Sequence, residues 1–443
     1  MLIEQIVIYA IVLLFCAIVV FLYLRTLKKS SLVVAAKIEK AKQEGLHEPV
    51  SLHPVINEDT CIKSGACVAV CPEKDILGIV NGKATLINAS SCVGHGACFH
   101  NCPVEAISLV IGTEKRGVDL PHVNQEFETN VPGIYIAGEL GGMGLIKNSV
   151  EQGQAAVENM VMAGFKHDTS THDLIIVGAG PAGISASLTA KKHQLNFLTL
   201  DQDTLGGTVF SFPRSKIVMT APMNLPLYGK VKLFDTSKTE LLTLWQTALA
   251  QNNIMGHIRE NTKVESIHPE GDHFVVETLT GEHLKTKKVL LAIGRRGSPR
   301  KLGVPGETLE KVAYRLLEPE FIHQKKVVVV GGGDSAIEAA LSLAEQNQVV
   351  LSYRSESFSR LKPKNREKLN EAVGKGILDV RFKSNLVKIE PDKAILATEA
   401  AEQLILENDL VYIFAGGELP TQFLEKAGIE IKKRFGYTMK KHR

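Results

Sequence analysis

Six of the seven cysteines fall between Cys61 and Cys102, in two runs of one design. The first is Cys61-Ile-Lys-Ser64-Gly-Ala-Cys67-Val-Ala-Val-Cys71-Pro72; the second is Cys92-Val-Gly-His95-Gly-Ala-Cys98-Phe-His-Asn-Cys102-Pro103. Thiolate is a soft ligand that suits zinc and iron–sulfur clusters, and Cys3His is a legitimate zinc set. A second chemistry lies in Asp173-Leu-Ile-Ile-Val-Gly178-Ala179-Gly180-Pro181-Ala182-Gly183, an apolar β-type run opening into a helical one. Gly178 permits the tight turn, Gly180 lets backbone approach a pyrophosphate, and Gly183 brings helix close to strand. The helix N-terminus adds free N–H groups and partial positive charge. The run Asn196–Leu200 ends in Asp201, about twenty residues on, where a carboxylate can hold an adenosine ribose.

The signature recurs in Lys326-Val-Val-Val-Val-Gly331-Gly332-Gly333-Asp334-Ser335-Ala336, with Ala336 at the third glycine position, which the fingerprint allows. The next strand, Val349–Ser352, ends without an acid, and Arg354 and Arg360 follow. An acid would hold the ribose of NAD, whereas arginine accommodates the 2′-phosphate of NADP. NADPH is therefore expected over NADH. The alternative is a solvated basic face made with Lys362 and Lys364, and Glu356 blurs the signal.

At 443 residues the chain has room for two or three domains, and a net charge of +3 gives no nucleic-acid signal. Ile6–Leu24 is an unbroken apolar run of about nineteen residues, the length of one bilayer crossing. Arg25, Lys28 and Lys29 follow at once, which places the bulk of the protein in the cytoplasm, beneath the inner membrane. A cleaved signal peptide would need a basic start and a small-residue cleavage site, and neither is evident. Cys16, inside the apolar run, reads as packing. The divisions expected are a transmembrane helix (1–25), a basic helical stalk and linker (26–54) and a cysteine module (55–110). A first nucleotide domain (111–296, completed by 405–443) and a second (297–404) follow.

The cysteine runs resemble the bacterial two-cluster ferredoxin, Cys-x2-Cys-x2-Cys-x3-Cys-Pro, whose fourth cysteine reaches the other cluster. The resemblance implies one cluster on Cys61, Cys67 and Cys102 and another on Cys92, Cys98 and Cys71. Ser64 and His95 stand at the second-ligand positions. A 3Fe–4S cluster, a 4Fe–4S cluster with an oxygen or nitrogen ligand, or loss of one cluster are the open outcomes. A disulfide reading is weak in a reducing compartment.

Glu128-Thr-Asn-Val-Pro-Gly-Ile-Tyr-Ile-Ala-Gly138-Glu139 resembles the second flavin-contacting motif of thioredoxin-reductase-like pyridine nucleotide oxidoreductases, with Glu139 where that family has aspartate. By the same resemblance the run from Lys147 to Gly164 is a helix aimed at the flavin. Gly207 and Thr208 lie in the loop that covers the flavin, and the Ala-Ile-Gly294 ending is the hinge. Phe212-Pro213-Arg214 and the stretch to Trp245 look loosely like the bacillithiol-disulfide-reductase branch. In the family the Glu128 motif comes last; here it precedes Gly178, as a circular permutation would place it. No cysteine follows Cys102, so a redox-active cysteine pair beside the flavin is not expected.

The resemblance implies an α/β flavoprotein with two dinucleotide-binding, Rossmann-like domains, an N-terminal α+β two-cluster ferredoxin-like module and one transmembrane helix. Its cofactors would be FAD, NADPH or NADH, and one or two clusters of 4Fe–4S or 3Fe–4S type. Electrons would pass from NAD(P)H through FAD to the cysteine module and on to an unidentified protein or quinone. No side-chain acid or base is required. Ferredoxin–NAD(P) reduction in the opposite direction, or a redox sensor or assembly factor, are the alternatives. A homodimer is compatible with the chain.

Overall fold

The computed structural model describes residues 2–49, 52–73, 75–115, 117–142, 144–165, 170–212, 217–233, 235–295, 298–358, 361, 363–399 and 403–442. The chain forms two compact units, 1–118 with 434–443 and 119–433.

The first unit begins with helix α1, Leu2–Gln43. Every described side chain from Gln5 to Ser30 is exposed. Beyond that point Ser31, Val34, Ala35, Ile38 and Ala41 turn inward, a stripe at helical spacing. The stripe lies on the hairpin of Leu77–Val80 and Lys83–Leu86. A Cβ on Gly78 would stand 2.5 Å from Val34, so only glycine admits the helix there. The hairpin turns at Asn81-Gly82, both at positive φ (47° and 80°), the two-residue turn that matches strand twist. The segment expected as a helical stalk is helical and docked on this hairpin, and His53 and Pro54, expected in the linker, open the strand His53–Ile56.

That strand pairs antiparallel with Ile107–Ile111, which pairs on its other edge with Tyr437–Lys440. The expected assignment of 405–443 to the first nucleotide domain is corrected here. Leu410–Ile413 joins the second nucleotide sheet, and residues 434–443 belong to the cysteine unit. The segment from Leu419 to Ile431 packs on the flavin-type domain, chiefly through Leu424, Ala427 and Ile429. The last strand gains an open edge and an aromatic partner, since His442 stacks on Phe99 with ring centroids 3.7 Å apart. Two short helices, α2 (Ala66–Ala69) and α3 (Ala97–His100), each follow a left-handed glycine, Gly65 and Gly96.

The second unit is built on two large sheets, beside a three-stranded one of Ser384–Ile389, Lys393–Thr398 and Gln403–Glu407 and several two-stranded ribbons. In the first, His172–Val177 lies parallel between Phe197–Leu200 and His283–Leu291. Ile134–Ile136 pairs parallel with His283–Leu291, so this early strand completes the later sheet, as the permutation requires. Helices α4 (Ile146–Met162) and α5 (Pro181–Lys192) pack together on that sheet. Helix α6 (Lys238–Gln251), begun by a Ser237–Glu240 capping box, buries Trp245 completely. The second sheet is parallel throughout, in the order Val312–Ala313, Leu410–Ile413, Lys326–Val330, Gln348–Ser352, Leu378–Arg381. It carries α7 (Asp334–Ala344) and α8 (Pro363–Gly374), and α9 (Thr421–Lys426) returns to the first sheet. A short ribbon, Ser298–Pro299 with Gly417–Glu418, links the two halves.

Gly153 sets how closely α4 approaches α5, since a Cβ there would stand 2.1 Å from the Ala182 carbonyl oxygen. Gly153→Ala gains up to about 1 kcal/mol of helix propensity, yet overpacking costs about 1–3 kcal/mol. The clash is with backbone, so the net effect should be destabilising, read as a lower midpoint in urea unfolding; an unchanged or higher midpoint would refute the tight α4–α5 contact.

Candidate functional site

The six module cysteines separate into two sets. One cavity is lined by Cys61, Cys67, Cys102 and Ser64. A second is lined by Cys71, Cys92, Cys98 and His95. The cross-over grouping that the ferredoxin resemblance implied is thus present in the fold. Burial raises the Cys98 thiol to about 12, with Cys92 and Cys71 adding to the shift, and raises Cys92 to about 11. Cys67 is raised by burial and by Cys61 and Cys102. Thiols that oppose one another's ionisation stay protonated unless a positive centre binds between them. Among the described residues no group of three His, Cys, Asp or Glu side chains closes on a single ion. The thiols instead line the walls of a cavity, an arrangement that suits a cluster better than one zinc with sulfurs at about 2.3 Å.

The two gaps in the motif are equivalent in backbone but not in environment. Ser64 Oγ accepts the Ala66 N–H at 3.4 Å, and His95 Nδ1 accepts the Ala97 N–H at 3.3 Å. Ser64 is exposed. His95 is half-buried, and its Nε2 is buried without a hydrogen-bond partner. Burial lowers the imidazole, against the opposing pull of Glu73, so the neutral ring is favoured. With Nδ1 accepting, the ring proton sits on Nε2, and iron ligation there requires that proton to leave. The cavities therefore fit a cluster, with three thiols each and a fourth group that differs between them.

In the second unit the flavin-type residues converge. Gly178 lies at φ 107°, and a Cβ there would meet the Ala292 carbonyl oxygen at 2.5 Å. A Cβ on Gly183 would meet the Gly178 oxygen at 1.8 Å, whereas one on Gly180 would meet nothing within 4 Å. The loop thus has one open face, where a pyrophosphate fits. Asp201 Oδ2 accepts the Ala179 N–H at 2.6 Å and Oδ1 accepts the Asp203 N–H at 2.9 Å, so this acid braces the loop. Burial raises its carboxyl. Gly207 approaches Gly180, while Thr208 is exposed beside it. Gly138 faces Ala182 and Ser149, and its N–H donates to Gln152 Oε1 at 2.8 Å. Glu139 is the strongest charge acting on Arg295, next to Gly294, whose guanidinium burial otherwise disfavours.

The second loop repeats the pattern. Gly331 (φ 145°) faces the Phe414 carbonyl and Ala336, and Gly333 is open. Tyr353 lies over Gly332, a contact the sequence reading missed because it depends on the adjacent strand. Asp334 and Glu338 both accept from Asn365, and Ser335 is exposed at the start of α7. Arg354 is exposed just past its strand, and Arg360 and Lys362 lie outside the described residues. Glu356, which blurred the nucleotide choice, pairs with Lys383 at 2.6 Å.

Two nucleotide loops, one on a mixed sheet and one on an all-parallel sheet, with a short ribbon joining the halves, define a two-dinucleotide oxidoreductase, here carried with a cysteine-rich electron-transfer module. The chain belongs to the pyridine nucleotide-disulphide oxidoreductase family, whose model matches residues 175–442, and a 4Fe-4S dicluster domain matches residues 53–103. FAD and NAD(P)H are therefore its cofactors, together with a 4Fe–4S cluster. It is 27% identical over 267 residues to bacilliredoxin reductase from Bacillus subtilis, covering 59% of this chain and 82% of the relative. It is 28% identical over 263 residues to a ferredoxin–NADP reductase from Ignicoccus hospitalis, with the same coverage. Bacillithiol disulfide reductase from Staphylococcus aureus shares the fold, with a TM-score of 0.53 at 21% identity over 60% of this chain and 85% of that one.

Ser64→Cys places a thiol at the missing corner of its cavity and should raise the iron content or convert a 3Fe signal to a 4Fe one in electron paramagnetic resonance. His95→Cys should do the same, unless imidazole already completes that cluster, in which case the potential falls because thiolate replaces nitrogen. Unchanged iron content, spectrum and potential in both variants would remove the cluster assignment.

Proposed function

We propose that this protein is a membrane-anchored flavoprotein that takes electrons from NAD(P)H, NADPH in preference, and delivers them through its iron–sulfur module to a separate acceptor. The observation that carries this reading is the pair of thiol-lined cavities in a chain whose nucleotide-binding unit contains no cysteine at all. For that reason we do not read it as a disulfide reductase, although one relative is named a bacilliredoxin reductase.

When bound, the flavin converts a two-electron donor into one-electron steps. The chain's own residues bind and orient. Gly180 and Gly333 would leave their loops open to the two pyrophosphates, and Gly138 and Glu139 would meet the flavin chain. Cys61, Cys67 and Cys102 would hold one cluster and Cys71, Cys92 and Cys98 the other. Glu307 supports the segment leading into the second half. Burial works to raise its carboxyl, but bonds from Tyr314 and from the Leu302, Gly303 and Val304 N–H groups outweigh that and keep it low. Reverse flow, from a reduced ferredoxin-type partner to NADP, is the second reading, favoured by the ferredoxin–NADP reductases among the relatives. Steady NADPH oxidation with a one-electron dye, alongside iron and flavin analysis, tests both against a slow redox sensor.

Removing Arg354 and Arg360 together should weaken NADPH far more than NADH, because losing charge-assisted contacts costs about 1.5–3 kcal/mol, roughly ten- to a hundred-fold. Equal weakening of both nucleotides would make these arginines ordinary surface.

The anchor reading rests on α1, whose apolar run from Ile6 to Leu24 is fully exposed. A reporter fused after Arg443 should be cytoplasmic, since Arg25, Lys28 and Lys29 resist translocation. Efficient periplasmic alkaline phosphatase activity from the fusion would overturn this orientation.

A further inference from the structure

Helix α1 is unbroken from Leu2 to Gln43, so its apolar part and its docked part share one axis. The hairpin against it runs the opposite way. Its tip meets the helix first, as the Asn81 N–H donates to Ser31 Oγ at 3.0 Å. Its base meets the helix later, where Lys37 pairs with Asp75 at 2.6 Å. From Leu24, the last residue of the apolar run, to Ser31 is a rise of about 10 Å, little more than the headgroup layer beyond the hydrocarbon. The end of α1 at Gln43 is about 28 Å from the same point.

The two cavities lie at different levels along this axis. Ile79 and Ala84, near the hairpin tip, line the Cys61–Cys67–Cys102 cavity. Ile76 and Leu77, at the base, line the Cys71–Cys92–Cys98 cavity. The loops follow suit. Lys63 lies over the tip at Gly82, whereas Gly94, its counterpart in the second run, packs on Leu52 beyond the end of α1. Ser90, just before the second run, donates its N–H to the Leu46 carbonyl at 2.9 Å. At the mouth of the first cavity Ile62 is 60% exposed, with Lys63 beside it and Ser64 open. An apolar side chain next to a long amine suits a surface of lipid headgroups.

We propose that α1 holds the Cys61–Cys67–Cys102 site against the bilayer surface, so that this site, not the Cys71–Cys92–Cys98 site, delivers electrons to a quinone dissolved in the membrane. The proposal rests on the reading that α1 spans the bilayer and that the cavities hold clusters. The balance closes as NAD(P)H + H⁺ + quinone → NAD(P)⁺ + quinol. The hydride supplies both electrons, which leave singly through the module, and the quinone oxygens take up two protons.

The duplicated runs supply an internal control, because Val93 is the counterpart of Ile62 and is 36% exposed. Photoreactive benzoylphenylalanine is placed singly at Phe15, Ile62 and Val93 in the full chain in lipid nanodiscs. Phe15 should cross-link to lipid, which tests the spanning helix by itself. Ile62 should also cross-link to lipid and Val93 should not. An azidoquinone should label the segment around Ile62. A second variant inserts about eleven helix-forming residues between Lys29 and Ser30, three turns that keep the helix face and add about 16 Å. It should lose the Ile62–lipid cross-link and quinone reduction while keeping NADPH oxidation with a soluble dye. With Phe15 cross-linked, equal labelling at Ile62 and Val93, or none at either, overturns the proposal. So does lipid contact at Ile62 without azidoquinone labelling, or quinone reduction undiminished by the insertion. Without lipid cross-linking at Phe15, the spanning reading itself falls.

Discussion

Three thiols facing one small cavity repel one another as soon as they ionise. That constraint governs the first unit. Burial pushes Cys92 up to about 11 and Cys98 up to about 12, with Cys71 adding to both and Cys92 adding to Cys98. A cluster that replaces the protons turns the same arrangement from a cost into the unit's core. The surrounding fold supplies little else: two short sheets, two four-residue helices and a docked outer helix. Left-handed backbone at Gly65 and Gly96 lets each loop curl round its cavity, and the last cysteine of each run, Cys71 or Cys102, closes the other's set. Each cavity thereby stitches both halves of the duplicated sequence together.

The second unit solves a different problem, bringing a backbone loop up to a charged phosphate without obstruction. Both loops use one solution. The first glycine takes a positive φ under a carbonyl of a neighbouring strand, Ala292 in one sheet and Phe414 in the other. The second glycine faces open space in both. Asp201 is committed to the Ala179 and Asp203 N–H groups, so its first duty is to hold the loop in shape. No acid directly follows Ser352, Arg354 is exposed, and Glu356 is paired with Lys383.

From its apolar segment to the cysteine module, α1 is one continuous helix. A flexible stalk would let the cysteine unit wander, but Gly78 admits Val34 so closely that helix and hairpin form one body. The duplicated cysteine runs therefore become inequivalent: one lies near the apolar segment and the other far along the helix.

The sequence by itself determined the chemistry that depends on local spacing. The cysteine runs, both glycine loops and the apolar stretch from Ile6 to Leu24 are each legible within a few dozen residues. So was the early position of the Gly138-Glu139 strand, because its motif is contiguous. What only the tertiary structure decided depends on pairing between distant segments. Tyr437–Lys440 closes the cysteine unit's sheet more than 300 residues from its partner, and no periodicity in a four-residue strand announces that neighbour. The docking of α1, the Tyr353 cover on Gly332 and the unpartnered Nε2 of His95 are likewise properties of surfaces that meet only after folding. Local geometry is written in residue types and intervals, whereas the choice among distant partners is made by packing, which a single chain records only once it is folded.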